Sequence, residues 1–172
     1  MFTLVRDYED RSLLFTLIYR RWDHFAYGPA ADGLSPNRFL ADLARSEHAW
    51  VWVAKGQPKA LFWLKLDSKK DRIPLLHVAT FGGSFFYAWH RALEWIWQSF
   101  DVDGVVVCGI SSQTSHFRWL SRLPYGNIYE IPLSRTDPVM GCLCGYWEYV
   151  LLQRDYQPPK RRTYRSQLLL KS

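Results

Sequence analysis

A chain of 172 residues with 48% hydrophobic and 22% charged residues has the size and balance of one folded domain with a real core. Its net charge of +6 is uneven: residues 157–172 hold Lys160, Arg161, Arg162, Arg165 and Lys171 and no acid, so the basic character belongs to that segment and a nucleic-acid groove on the near-neutral body is disfavoured. No run of about 18 apolar residues occurs and the start, MFTLVRDYEDR, lacks the layout of a secretory signal, so a cytoplasmic protein without a membrane span is expected.

Aromatic residues make up 17% of the chain and include nine Trp, which predicts a core built by ring packing. Of the three cysteines, Cys142 and Cys144 are separated by one residue, too close for a relaxed bridge on one strand, and reduced thiols are expected. No cysteine–histidine spacing suits a metal.

Residues 2–7 alternate apolar and polar and read as a short strand. Residues 9–25 read as a helix with Leu13, Leu14, Leu17 and Ile18 on one face, broken at Tyr27-Gly28-Pro29. A second helix begins at Ser35, a good N-cap, followed by Pro36 in the first-turn position that needs no N–H. The period then changes. AWVWVA (49–54) sets Trp50 and Trp52 on one face and Val51 and Val53 on the other, and ALFWLKLD (60–67) completes a hairpin. IPLLHVATF (73–81) is a third strand of the same meander. Residues 85–100 carry the strongest helical periodicity, through Trp89, Ala92, Leu93, Ile96, Trp97 and Phe100. GVVVCGI (104–110) is a β-branched run of the kind found in buried parallel strands, so 73–110 reads as a strand–helix–strand crossover. A short helix at 116–123, a strand at 127–133, a loop at 134–141 and a last strand at 143–155 complete the domain. Pro158-Pro159 marks the boundary between a domain at 1–156 and a basic extension at 157–172. Asp101 and Asp103 read as a turn, and GxSxG, HExxH and GxxxxGK[ST] are absent.

This order of elements over residues 1–155 resembles the GNAT acyltransferase superfamily. The resemblance implies a single α/β domain: a mixed, mostly antiparallel sheet with a central splayed pair of parallel strands, flanked by helices. It further implies acetyl-CoA in the wedge between strands 73–81 and 104–110. Gly82 and Gly83, followed by Ser84, stand where the family has its phosphate-binding loop, at a helix start that suits an anion. Ser111, Ser112 and Gln113 follow the second strand of the wedge and are further candidates for holding the cofactor. QTSHFRWLSRLPY (113–125) matches the family's second signature loosely. Gln113 takes the place of an Asn there, and Leu120 takes the place of the Tyr that protonates the leaving thiolate. Tyr125 is the alternative proton donor. His77 is the candidate base, since an imidazole titrates near neutrality; His116 is a further candidate near the wedge. The partners implied are a CoA thioester and an amine.

The chain also resembles, in size, aromatic richness and layout, proteins of short-tailed bacteriophages that act in head assembly or DNA transfer. That resemblance implies a non-catalytic virion protein, with virion or DNA partners met through the basic extension and a location in the host cytoplasm or virion.

Overall fold

A computed structural model describes residues 1–26, 28–66, 72–81, 85–110, 118–137 and 141–158. Its elements in chain order are β1 (Phe2–Leu4), α1 (Arg11–Arg20), α2 (Pro36–Arg45), β2 (Ala49–Ala54), β3 (Gln57–Lys65), β4 (Leu75–Thr80), α3 (Phe85–Ser99), β5 (Gly104–Ile110), β6 (Asn127–Thr136) and β7 (Leu143–Leu152). The strands form one sheet in the order β1-β2-β3-β4-β5-β7-β6. β4 and β5 are its parallel pair, and every other neighbouring pair is antiparallel. The mixed sheet expected from the sequence is therefore present.

Local chemistry sets the helix starts. The Asp10 carboxylate accepts the Leu13 N–H at 2.9 Å, and the Ser35 hydroxyl accepts the Arg38 N–H at 3.3 Å ahead of Pro36. A tight turn at Lys55 and Gly56, both at positive φ, joins β2 to β3.

The two faces of the sheet carry different cores. On the first face Trp50, Phe62, Leu76, Val105, Val107, Trp147 and Tyr149 pack under α3. On the second face Val51, Val53 and Leu61 pack under α1 and α2. The alternation of the strands sorts these side chains, as their binary pattern requires.

Several boundaries differ from the sequence reading, β3 at Gln57–Lys65 and β4 at Leu75–Thr80 among them. β1 ends at Leu4, because Val5–Asp7 turns into a 3-10 helix that buries Val5 completely. α1 stops at Arg20, and Trp22–Phe25 forms a separate 3-10 turn. That turn stacks Trp22 on Phe25 at 5.4 Å and sets both against Phe39, which outweighs continuing the helix. β6 runs on to Thr136, so part of the expected loop pairs with the start of β7. β7 ends at Leu152, where the Gln153 N–H turns to the Asp103 carbonyl.

The beginnings of β4 and β5 are clamped together. Arg72 donates to Asp103 at 2.9 and 2.6 Å and to Asp101 at 2.7 Å, while its carbonyl accepts the Asp103 N–H at 2.6 Å. The two aspartates of the expected turn are thus an ion grip. The guanidinium hydrogen bond holds the Asp103 carboxyl below its ordinary range. A depressed acid stabilises the fold above its unfolded pKa, and that contribution fades as pH falls through the folded value. The grip is exposed and open to screening. Arg72→Met should lower the melting temperature by a few degrees at pH 7 in low salt. The difference should shrink both in molar salt and below pH 3, as read by thermal melts.

Candidate active site at the splayed strands

β3 and β4 pair along the whole of β4, and β5 and β7 pair along the whole of β5. Between β4 and β5, among the described residues, there is a single bridge, Leu75↔Val106, with the Val106 N–H on the Pro74 carbonyl at 3.0 Å. Beyond it the two strands run on to Thr80 and Ile110 without bridging each other. The sheet is closed at Arg72 and opens into a wedge toward the start of α3.

Ladder geometry fixes which main-chain groups look into that wedge. The Phe81 N–H bonds to the Lys59 carbonyl on β3, so the odd residues of β4 point their peptide groups at β3. The peptide groups of Leu76, Val78 and Thr80 therefore point the other way, toward β5. The Thr80 carbonyl also accepts from the Arg21 guanidinium at 3.2 Å, which ties the end of α1 to the open end of the wedge. α3 begins five residues after Thr80, so its N-terminal peptide dipoles lie near that open end.

The same bridge brings together residues far apart in sequence. His77 and Cys108 each stand two residues past the bridge, at one level and on the second face. Trp63 lies beside His77, Glu148 beside Cys108, and Tyr129 beside Glu148. One row thus crosses the sheet as Trp63, His77, Cys108, Glu148 and Tyr129, with the wedge between its second and third members. The Trp63 and His77 rings stack at 4.8 Å and 3°. Burial, with a smaller push from Lys65 and an opposing pull from Asp32, lowers the His77 pKa to about 4. His77 is then a neutral imidazole at pH 7, and a weaker base than an ordinary histidine. Tyr146, two residues along β7 on the same face, is buried, and that burial, with smaller contributions from Cys108 and Glu148, raises its phenol above the ordinary value.

Tyr125 sits elsewhere. It is buried in the first-face core, its hydroxyl 3.4 Å from both His90 ring nitrogens, and its carbonyl accepts the Tyr149 hydroxyl at 2.8 Å. The Tyr156 hydroxyl meets His90 Nδ1 at 3.0 Å. Burial raises the Tyr125 phenol, so it stays protonated. The structure does not bring Tyr125 and His77 together: they lie on opposite faces of the sheet. Leu120, at the place of the missing tyrosine, is buried core. Gly82, Gly83, Ser84, Ser111, Ser112, Gln113 and His116 lie outside the described residues. The sequence offers His77 as a candidate, but not Cys108, Tyr146 or Glu148, which the register sets in and beside the same row. Each alternates with apolar neighbours on its strand, and only long-range register joins them.

His90 offers a test of this neighbourhood. Burial lowers its pKa to about 4, against a weak opposing pull from Glu94. A histidine that titrates lower folded than unfolded destabilises the fold on acidification. The unfolded chain takes up the proton first, so stability falls from about pH 6.5 toward pH 4, by at most about 3 kcal/mol for this group. His90→Gln, which can still meet the two phenols, should flatten that part of the stability–pH curve measured by urea unfolding.

With this geometry in view, no family model and no curated protein matches the sequence. Solved structures do match. The chain has the fold of the GNAT N-acetyltransferases. It is similar to spermidine N-acetyltransferase from Vibrio cholerae in complex with CoA and spermine, with a TM-score of 0.65 and 12% identity over 91% of this chain and 96% of that one. It is similar to ribosomal-protein-S5-alanine acetyltransferase from Vibrio fischeri, with a TM-score of 0.62 and 12% identity over 91% and 94%. The N-acetyltransferase PseH of Campylobacter jejuni in complex with acetyl coenzyme A matches with a TM-score of 0.57 and 11% identity over 89% and 99%. The GNAT fold implied by the order of elements is thus found. None of these three is a virion protein, and the assembly and DNA-transfer reading gains no support from them. No helix among the described residues is long and apolar enough to cross a membrane, and no group of His, Cys, Asp or Glu there could hold a metal.

Proposed function

We propose that this protein is an acyl-CoA-dependent N-acyltransferase, with acetyl-CoA as donor and an amine as acceptor. The observation that carries the reading is the wedge: two central parallel strands joined at one bridge, with the peptide groups of Val78 and Thr80, past that bridge, facing the gap. An extended arm containing amides fits such a gap, because it can make the ladder hydrogen bonds that the missing strand pairing leaves open. The donor, when bound, supplies a thioester carbonyl. The chain's own residues do the rest. The Val78 N–H is aimed to polarise the carbonyl oxygen, as an oxyanion donor does. Neutral His77, on the second face, takes the proton released as the amine nitrogen bonds to the acyl carbon. As the carbon–sulfur bond breaks, the protonated Tyr125 phenol on the first face is assigned to the leaving sulfur. Attack and departure would then be served from opposite faces of the wedge.

Gly82, Gly83 and Ser84, joining β4 to α3, are assigned to the phosphate end of the cofactor, and Ser111, Ser112 and Gln113, following β5, to its arm. The unit that does this is residues 1–156, with 157–172 as an extension. The names of the similar structures, one acting on spermidine and one on a protein alanine, support an amine acceptor and leave its class open. The test is calorimetric titration of the full chain with acetyl-CoA. A dissociation constant of about micromolar order, abolished by Gly83→Trp, is expected. Absence of heat at millimolar ligand would sink the reading.

A further inference from the structure

The second-face row holds one carboxylate whose position the acyl-transfer step does not explain. Glu148 is half-buried and set one strand back from the wedge, beside Cys108. Strand spacing puts it about 5 Å behind the β5 edge. The amine that attacks must be neutral at nitrogen, and a carboxylate beside that nitrogen would hold it protonated. Glu148 is poorly placed to help the attacking nitrogen and well placed to bind something farther along the acceptor. Tyr146, buried two residues along β7 on the same face, flanks Glu148. Beyond it Tyr129, 54% exposed, presents a ring beside the same position. A carboxylate with an exposed aromatic ring beside it suits an alkylammonium group.

We infer that Glu148 binds a second ammonium group of the acceptor, so that the substrate is a short aliphatic diamine acylated at one end. The inference rests on the acyl-transfer reading for the end that reacts, and on the row of residues for the end that is held. The acceptor lies across the mouth of the wedge on the second face. Its reacting nitrogen is over the gap beside His77, and its distal nitrogen is on Glu148. An acceptor that carries a carboxylate at its distal end would set that carboxylate against Glu148 and is rejected by charge.

The experiment compares 1,4-diaminobutane with n-butylamine on the full chain. Thiol release from acetyl-CoA gives the kinetics, and direct calorimetry of 1,4-diaminobutane without acetyl-CoA gives acceptor binding. The diamine should exceed the monoamine at least about tenfold in kcat/KM, since a charge-assisted hydrogen bond is worth that much. Glu148→Gln should erase this preference by raising KM for the diamine, with kcat changed less than about threefold and acetyl-CoA binding unchanged. Glu148→Asp should restore part of the preference. Equal use of the two amines, or a diamine affinity unaltered in Glu148→Gln, would overturn the inference. Acetyl-CoA binding without diamine binding defeats the inference alone. Glu148-dependent diamine binding without acetyl-CoA binding supports the ammonium site but defeats the acyl-transfer reading, and with it acylation of the other end.

Discussion

Replacing Val78 by proline should reduce turnover by roughly 100- to 1000-fold while leaving the fold in place, which is the loss expected when an oxyanion donor is removed. In most central strands this substitution would break the ladder. Here the Val78 peptide group points away from β3 and into the wedge, so no β3–β4 hydrogen bond is removed. Proline fixes φ near −65°, which costs some strain in an extended strand. A neighbouring control separates that strain from the missing donor. Val78→Ala keeps the N–H, loses part of the same side chain from the first-face core, and should keep most of the turnover. Thermal melts of both variants and the rate of thiol release decide the matter. Equal activity in the proline variant would remove the Val78 N–H from the mechanism.

The largest stability effect is expected at Trp50. It is fully buried on β2, 4.4 Å from the Trp95 ring, 5.7 Å from Phe2 and 6.3 Å from Phe62. Trp50→Ala should cost about 3–5 kcal/mol, the usual range for deleting a buried aromatic. Trp50 also has a second property. Its indole N–H is buried without a hydrogen-bond partner. Trp50→Phe therefore loses volume but also relieves a polar group that burial penalises. It should remain within about 1.5 kcal/mol of the parent. Urea unfolding of the two variants tests the pair, and equal losses would mean that ring volume alone sets the cost.

Much of the fold is legible in local signals. Ser35-Pro36 announces the start of α2, the spacing from Trp89 to Phe100 announces α3, and GVVVCGI announces β5. Each depends on residues within a few turns of one another. What escapes is decided at a distance. Val5 leaves β1 to join the core under α1, and Trp22 and Phe25 break away from α1 to meet Phe39 and Trp63. In the candidate site, His77 is visible because its residue type announces proton transfer. Glu148 is not, because a lone acid between apolar strand residues has the pattern of any solvent-facing side chain. Its relation to His77 requires the β4–β5 bridge and the β5–β7 register, which join positions 75, 106, 108 and 148. Arg72, Asp101 and Asp103 are similar: a turn is readable, whereas the grip across the strand beginnings is not.

The unequal cores have a mechanical consequence. The first-face core draws residues from β2, β3, β4, α3, β5 and β7, so it spans the wedge. Among the described residues, the second-face core contains none beyond Phe81, so it stops short of β5. The half of the sheet from β1 to β4 and the half from β5 to β6 are therefore stapled on one side only. Such a joint resists bending unequally. Prying the halves apart on the α3 side must tear packed aromatics from one another. Flexing open on the other side breaks no core contact among the described residues and pivots on the Leu75↔Val106 bridge and the Arg72 grip. The protein has the construction of a clasp, hinged at the closed end of its wedge, whose soft direction is the face that carries His77 and Glu148.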